Sequence, residues 1–114
     1  MTTTPAAKDS QLETARQNLR LAIAIRGTTA AQVSREAGLS VNALSYFLKG
    51  NGSISYAGML GVCEALEVPI GLLHHPNTIT PARLELHSTL RELTSEEVDE
   101  VARALERDPS GSSL

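Results

Sequence analysis

No single helix can run through the stretch TAAQVSREAGLSVNALSYFLKG, residues 29–50. Val33 and Ala37 recur at helical spacing, and so do Leu44, Phe47 and Leu48, but Gly38 stands between the two sets with Ser40 close behind it. Glycine inside a helix costs about 1 kcal/mol relative to alanine, whereas just past a helix end it takes the left-handed conformation without a Cβ clash. The pattern therefore predicts two short helices meeting at a sharp corner. The first opens at the capping pattern Thr29-x-x-Gln32 and stops at Gly38. The second covers 41–49, with Ser40 as its N-cap and Gly50 as its stop. Leu39 is expected to fill the angle between them.

The rest of the chain reads as helices too. With one Phe, two Tyr and no Trp among 114 residues, the core must be built from Leu, Ile, Val and Ala, which suits packed helices better than a sheet. Residues 1–9 are expected to be disordered. Ser10-x-x-Glu13 is a capping pattern that predicts a first helix over about 11–26, with Leu12, Ala15, Leu19, Ala22 and Ile23 on its apolar face. Ser55 caps a fourth helix over 56–67, in which Met59, Val62, Cys63 and Leu66 recur at three and four. Pro69 starts a short fifth helix carrying Ile70, Leu72 and Leu73. A boundary is expected near HHPNT, residues 74–78. Beyond it, Thr80-Pro81 opens a sixth helix with Leu84, Leu86, Leu90 and Leu93. Thr94-x-x-Glu97 opens a seventh with Val98, Val101, Ala102 and Leu105 at i, i+3, i+4, i+7. The fold class is thus all-α, with a five-helix domain over 10–75, a pair of amphipathic helices over 76–108, and a disordered tail over 109–114.

Two short helices around a glycine-led turn make a helix-turn-helix. From about Leu12 to His75 the chain resembles the lambda-repressor-like, or xenobiotic-response-element type, helix-turn-helix family. TAAQVSREAGLSVNALSYFLKG matches its two-helix core, and CEALEVPIGLL matches the end of its fourth helix and its fifth. The resemblance implies a five-helix double-stranded-DNA-binding domain whose third helix enters the major groove. On that docking, Val41, Asn42, Ser45 and Tyr46 face base edges, Asn42 being suited to adenine and Val41 to a thymine methyl. Ser40, Lys49, Asn51 and Ser53 fall where the family meets phosphates, and the start of the third helix adds a favourable place for an anion. Where the family often has an apolar residue and a glutamine, this chain has Thr28 and Ala30, so one common phosphate contact is expected to be missing. The family commonly forms homodimers. The tail's two stripes, Leu86, Leu90 and Leu93 with Val98, Val101, Ala102 and Leu105, are each too narrow for an independent core and are the expected dimer surface.

Charge limits how the chain can meet DNA. The net charge is −3, but residues 1–75 hold six Lys or Arg against five Asp or Glu, and residues 76–114 hold four against eight. The acidity belongs mainly to the tail. From Arg26 to Ser53 the cations are Arg26, Arg35 and Lys49, against Glu36 alone, a faint basic bias.

Other chemistries find little support. A lone cysteine, Cys63, excludes an intramolecular disulfide and fits a reducing compartment. MTTTPAAKDSQ is no signal peptide, and no apolar run approaches the roughly 20 residues of a membrane span, so a cytoplasmic, membrane-free protein is expected. His74-His75 lacks a third ligand at a sensible spacing, and neither a nucleophilic triad nor a phosphate-cradling glycine loop is evident, so neither cofactor, metal nor enzymatic activity is expected. The leading expectation is a homodimeric transcriptional regulator, more a repressor than an activator because occupancy of a promoter is enough. Its alternatives are an antitoxin whose tail also binds a protein partner, an interaction module that has lost DNA binding, and a thiol-dependent enzyme at Cys63.

Overall fold

The computed structural model describes residues 5–107, with side chains over 9–106. It is all-α: helices α1 (Pro5–Arg26), α2 (Ala30–Glu36), α3 (Ala43–Leu48) and α4 (Tyr56–Leu66) are followed by a 3₁₀ turn (Ile70–Leu72), α5 (Pro81–Glu92) and α6 (Ser95–Arg107). No strand occurs among the described residues.

Four helix starts follow from local side-chain chemistry. Thr29, Ser55 and Thr80 are extended and accept hydrogen bonds from the backbone N–H groups of Gln32, Gly58 and Arg83. At α6 the box is reciprocal: the Glu97 N–H donates to Thr94 Oγ1, and the Thr94 N–H donates to Glu97 Oε1, both at 3.1 Å. Accepting that backbone N–H lowers the Glu97 carboxyl below its ordinary value. The cap therefore forms above the normal carboxylate range and is lost as acidification protonates Glu97. At α2 only half a box forms, because Gln32 turns its amide to Glu36 Oε1.

Three expected element bounds are corrected. Residues 5–9, expected to be disordered, belong to α1, and Ser10 lies inside it with its carbonyl accepting from Thr14 Oγ1. A proline fits the first helical turn, and the alanines after it are the best helix formers, so α1 begins at Pro5 and not at the Ser10 box. The expected helix over 41–49 shrinks to the six residues of α3. The fifth helix is a single 3₁₀ turn, one apolar step that finishes the core at Leu73. Residues 1–4 and the tail expected over 109–114 lie outside the described residues.

The core is continuous through the first five elements. Leu19, Ala22, Val33, Leu44, Phe47, Val62, Cys63 and Leu66 are buried together, and α2 packs on both α3 and α4. Gly61 permits the α2–α4 approach, since a Cβ there would lie 3.1 Å from the Ala37 carbonyl oxygen. The boundary expected near 74–78 does not separate two cores. Ile79 and Leu84 are buried in the same cluster, and Arg26 donates to the Leu66, Glu67 and Leu84 carbonyls and to Ser88 Oγ, tying α5 down. Beyond α5 the packing stops, and every residue from Ser95 to Glu106 is exposed. The Cα radius of gyration, 16.7 Å, exceeds the roughly 13 Å of a compact domain of about 100 residues.

Buried Asn18 holds the 3₁₀ turn. Its side-chain amide donates to the Leu72, Leu73 and His75 carbonyls, while Thr78 Oγ1 donates to the Leu72 and His75 carbonyls as well. Only Leu73 O depends on Asn18 alone. Asn18→Leu is therefore expected to cost about 1–2 kcal/mol, Thr78→Val less than about 1 kcal/mol, and the pair more than their sum, measured by urea unfolding of the double-mutant cycle.

Candidate nucleic-acid interface

The corner between α2 and α3 turns at Gly38, with φ of 76°. No atom lies within 4 Å of a Cβ built there, so the requirement for glycine is set by the backbone and not by crowding. Leu39 follows and is half-buried over Gly58 of α4, where a Cβ would meet Leu39 Cδ2 at 3.1 Å. The corner thus rests on α4 as well as on its own two helices.

Ser40 is not the N-cap of α3. That place belongs to Asn42, whose side chain makes no capping bond, and Ser40 contributes its carbonyl to the Ala43 N–H at 3.0 Å. The side-chain cap comes from the neighbouring helix: fully buried Ser34 of α2 accepts from the Leu44 N–H at 3.1 Å. This removes the anion-favouring helix start expected beside Ser40. The Ala43 and Leu44 N–H groups are already bonded, and six residues make little of a dipole.

Leu44, Phe47 and Leu48 anchor α3 in the core. Of the expected base-facing residues, Val41 and Tyr46 are 40% and 52% exposed, Asn42 is exposed and Ser45 is half-buried. Val41 and Asn42 stand on the lead-in turn, while Ser45 and Tyr46 stand on α3 itself. The expected phosphate-facing residues Ser40, Lys49, Asn51 and Ser53 are all exposed. Among the described residues, the side chains of Ser40, Asn42, Ser45, Tyr46, Lys49, Asn51 and Ser53 have no hydrogen-bond or ion-pair partner. Seven polar side chains around one short helix are left with unspent hydrogen-bonding capacity.

No family model, curated protein or solved structure matches this chain.

Two cations near this surface escape a count made along residues 26–53. Arg16 and Arg20 of α1 reach the C-terminal end of α3, where Arg16 Nε donates to Phe47 O at 2.9 Å and Arg20 donates to Leu48 O. Arg16 also lies over the Phe47 ring, 5.2 Å from its centre. Nothing local in the sequence signals this, because the contacts span 31 and 28 residues.

Other reactive groups are elsewhere. Cys63 is 4% exposed, and burial pushes its thiol up to about 11, so it stays protonated at neutral pH and is a poor nucleophile. The cause is desolvation and not the neighbouring Glu64. Among the described residues no three His, Cys, Asp or Glu side chains are placed to share a metal ion, and no helix is long and apolar enough to cross a membrane.

Proposed function

We propose that the protein is a sequence-specific, double-stranded-DNA-binding transcriptional regulator of bacterial or phage type, acting in the cytoplasm as a homodimer and mainly as a repressor. The observation that carries this reading is the outward surface of the α2–α3 corner. A helix held by three buried apolar residues, with the turns on either side of it, carries a group of polar side chains that have no hydrogen-bond or ion-pair partner among the described residues. In a major groove, Asn42 offers the paired donor and acceptor that match adenine, Ser45 and Tyr46 add shorter-range contacts, and Lys49, Asn51 and Ser53 meet the backbone. Dimerisation supplies the second half-site that a surface with so few cations needs. The apolar side chains available for it are Leu86, Leu90, Val98, Val101 and Leu105, all between 42% and 68% exposed, together with half-buried Leu93 and exposed Ala102.

The test starts by selecting bound fragments from random duplexes, then measures affinity for the selected site across a salt series. A linear fall of log K with log salt is expected. Asn42→Ala should relax preference at one base pair at a cost of about 1–3 kcal/mol there, while Lys49→Ala should weaken every sequence alike and lower the salt slope by about one. Failure of any selected sequence to outcompete random duplex would end the reading.

A second reading has one observation in its favour. At about 100° per residue, Glu97, Asp99 and Glu106 flank the α6 apolar stripe, while Glu96, Glu100 and Arg103 lie on the opposite side. Acidic margins suit a partner protein with basic margins, as in an antitoxin that also represses its own promoter. Sedimentation of the chain alone separates the two, since only the homodimer forms without a partner.

A further inference from the structure

We propose that Arg20, together with Lys49, forms a phosphate-binding site at the C-terminal end of α3, and that its ligand is a phosphodiester of the DNA backbone. This rests on the DNA reading above and adds to it a residue from α1, outside the two-helix corner.

Arg20 already has one fixed task. It donates to Leu48 O, the last carbonyl of α3, and Leu48 is the residue just before Lys49. A guanidinium carries five N–H donors in a rigid fork. One goes to the carbonyl. Toward Glu13 Oε1 the nearest nitrogen lies at 3.7 Å, a distance too long for a good hydrogen bond, and both side chains are about half exposed, at 47% and 54%. Arg20 also lines an open hollow of about 360 Å³ with Gln17 and Leu21. An anchored, half-exposed guanidinium with spare donors loses little freedom when an anion binds it.

Arg16 differs and marks the contrast. Its side chain is only 16% exposed, bonded to Phe47 O and stacked on the Phe47 ring, so its role is to hold α3 and not to meet a ligand. Glu13 pairs with both arginines and is the anion that a phosphate would displace. The geometry also suits the docking. A helix of six residues is only about 9 Å long, so when its leading turn faces base edges its far end stays close to the sugar–phosphate rim.

Two variants of the full chain test the site with opposite signs. Binding to the selected duplex is measured across a sodium chloride series for the wild type, Arg20→Gln and Glu13→Gln. Arg20→Gln is expected to weaken binding to all sequences alike and to lower the salt slope by about one. Glu13→Gln removes an exposed competing carboxylate and is expected to tighten binding several-fold, an outcome that does not depend on how well Arg20→Gln folds. Unchanged affinity and slope in both, with the wild-type slope intact, would overturn the site. A wild-type slope near zero would remove the DNA reading and this site with it. In a parallel arm, sodium phosphate replaces chloride at equal ionic strength. No extra loss of binding is expected for a backbone contact, whereas specific competition would reassign the site to free phosphate.

Discussion

A chain ended after Leu93 is expected to stay folded, to sediment as a monomer, and to bind its DNA site at least about a hundredfold more weakly than the full chain. Everything up to α5 belongs to one packed body, and the exposed run from Ser95 to Glu106 contributes nothing to it. Removing α6 therefore leaves the corner intact, while the second half-site no longer binds at the high effective concentration that a linked partner provides. A chain ended after Pro76 behaves differently. It lacks Ile79 and Leu84, 5% and 0% exposed, each contributing about 1.5–3 kcal/mol of burial, and it strips Arg26 of its contacts to Leu84 and Ser88. Against a total stability of about 5–15 kcal/mol that loss is large, and its urea midpoint should fall steeply. A Leu93-ended chain that stays dimeric with undiminished affinity would place the dimer surface elsewhere.

Ser34→Val is expected to cost about 2–3 kcal/mol, because it removes a buried hydrogen-bond acceptor and adds a methyl group to a full site. Ser34 is fully buried, and its hydroxyl oxygen is the acceptor for the Leu44 N–H. Valine leaves that N–H without its acceptor in the core and must also fit one more carbon there, whereas threonine, the same shape as valine, keeps the hydroxyl. Ser34→Thr retains the acceptor and should lose much less, so the difference between the two in urea unfolding isolates the hydrogen bond from the packing. Equal losses in both would mean that the cost is steric. Within a folded Ser34→Val chain the lead-in turn at Val41 and Asn42 loosens, so site preference should blur before affinity for random duplex changes.

Much of this architecture was legible because its causes are local. Thr29, Ser55, Thr80 and Thr94 each cap a helix within three residues of themselves, and Gly38 turns the chain through its own backbone. The parts that were not legible depend on residues far apart in the chain. Ser40 matches the pattern of an N-cap, yet the hydroxyl that caps α3 belongs to Ser34, ten residues before the amide it serves. The proline-led alanines extended α1 ahead of a capping pattern that looked sufficient by itself. Charge counted along the corner omits Arg16 and Arg20 because only the packing of α1 across the end of α3 brings them there. The break near His75 reads as a boundary because its turn residues are genuine, while the burial of Leu84 beyond it depends on its joining the core of the earlier helices and on Arg26, 58 residues away.

The side chains left without partners around α3 also bear on how such a protein can change. Asn42 and Tyr46 are exposed and Ser45 is half-buried, and the aim of α3 and its lead-in turn is set by Ser34, Gly38, Leu44 and Arg16. On the proposed DNA-binding reading, base recognition and folding fall largely to separate residues. Substitutions on the outward face can alter what the surface touches while the scaffold beneath keeps its stability, so new preferences are open to this chain through single steps that leave it folded.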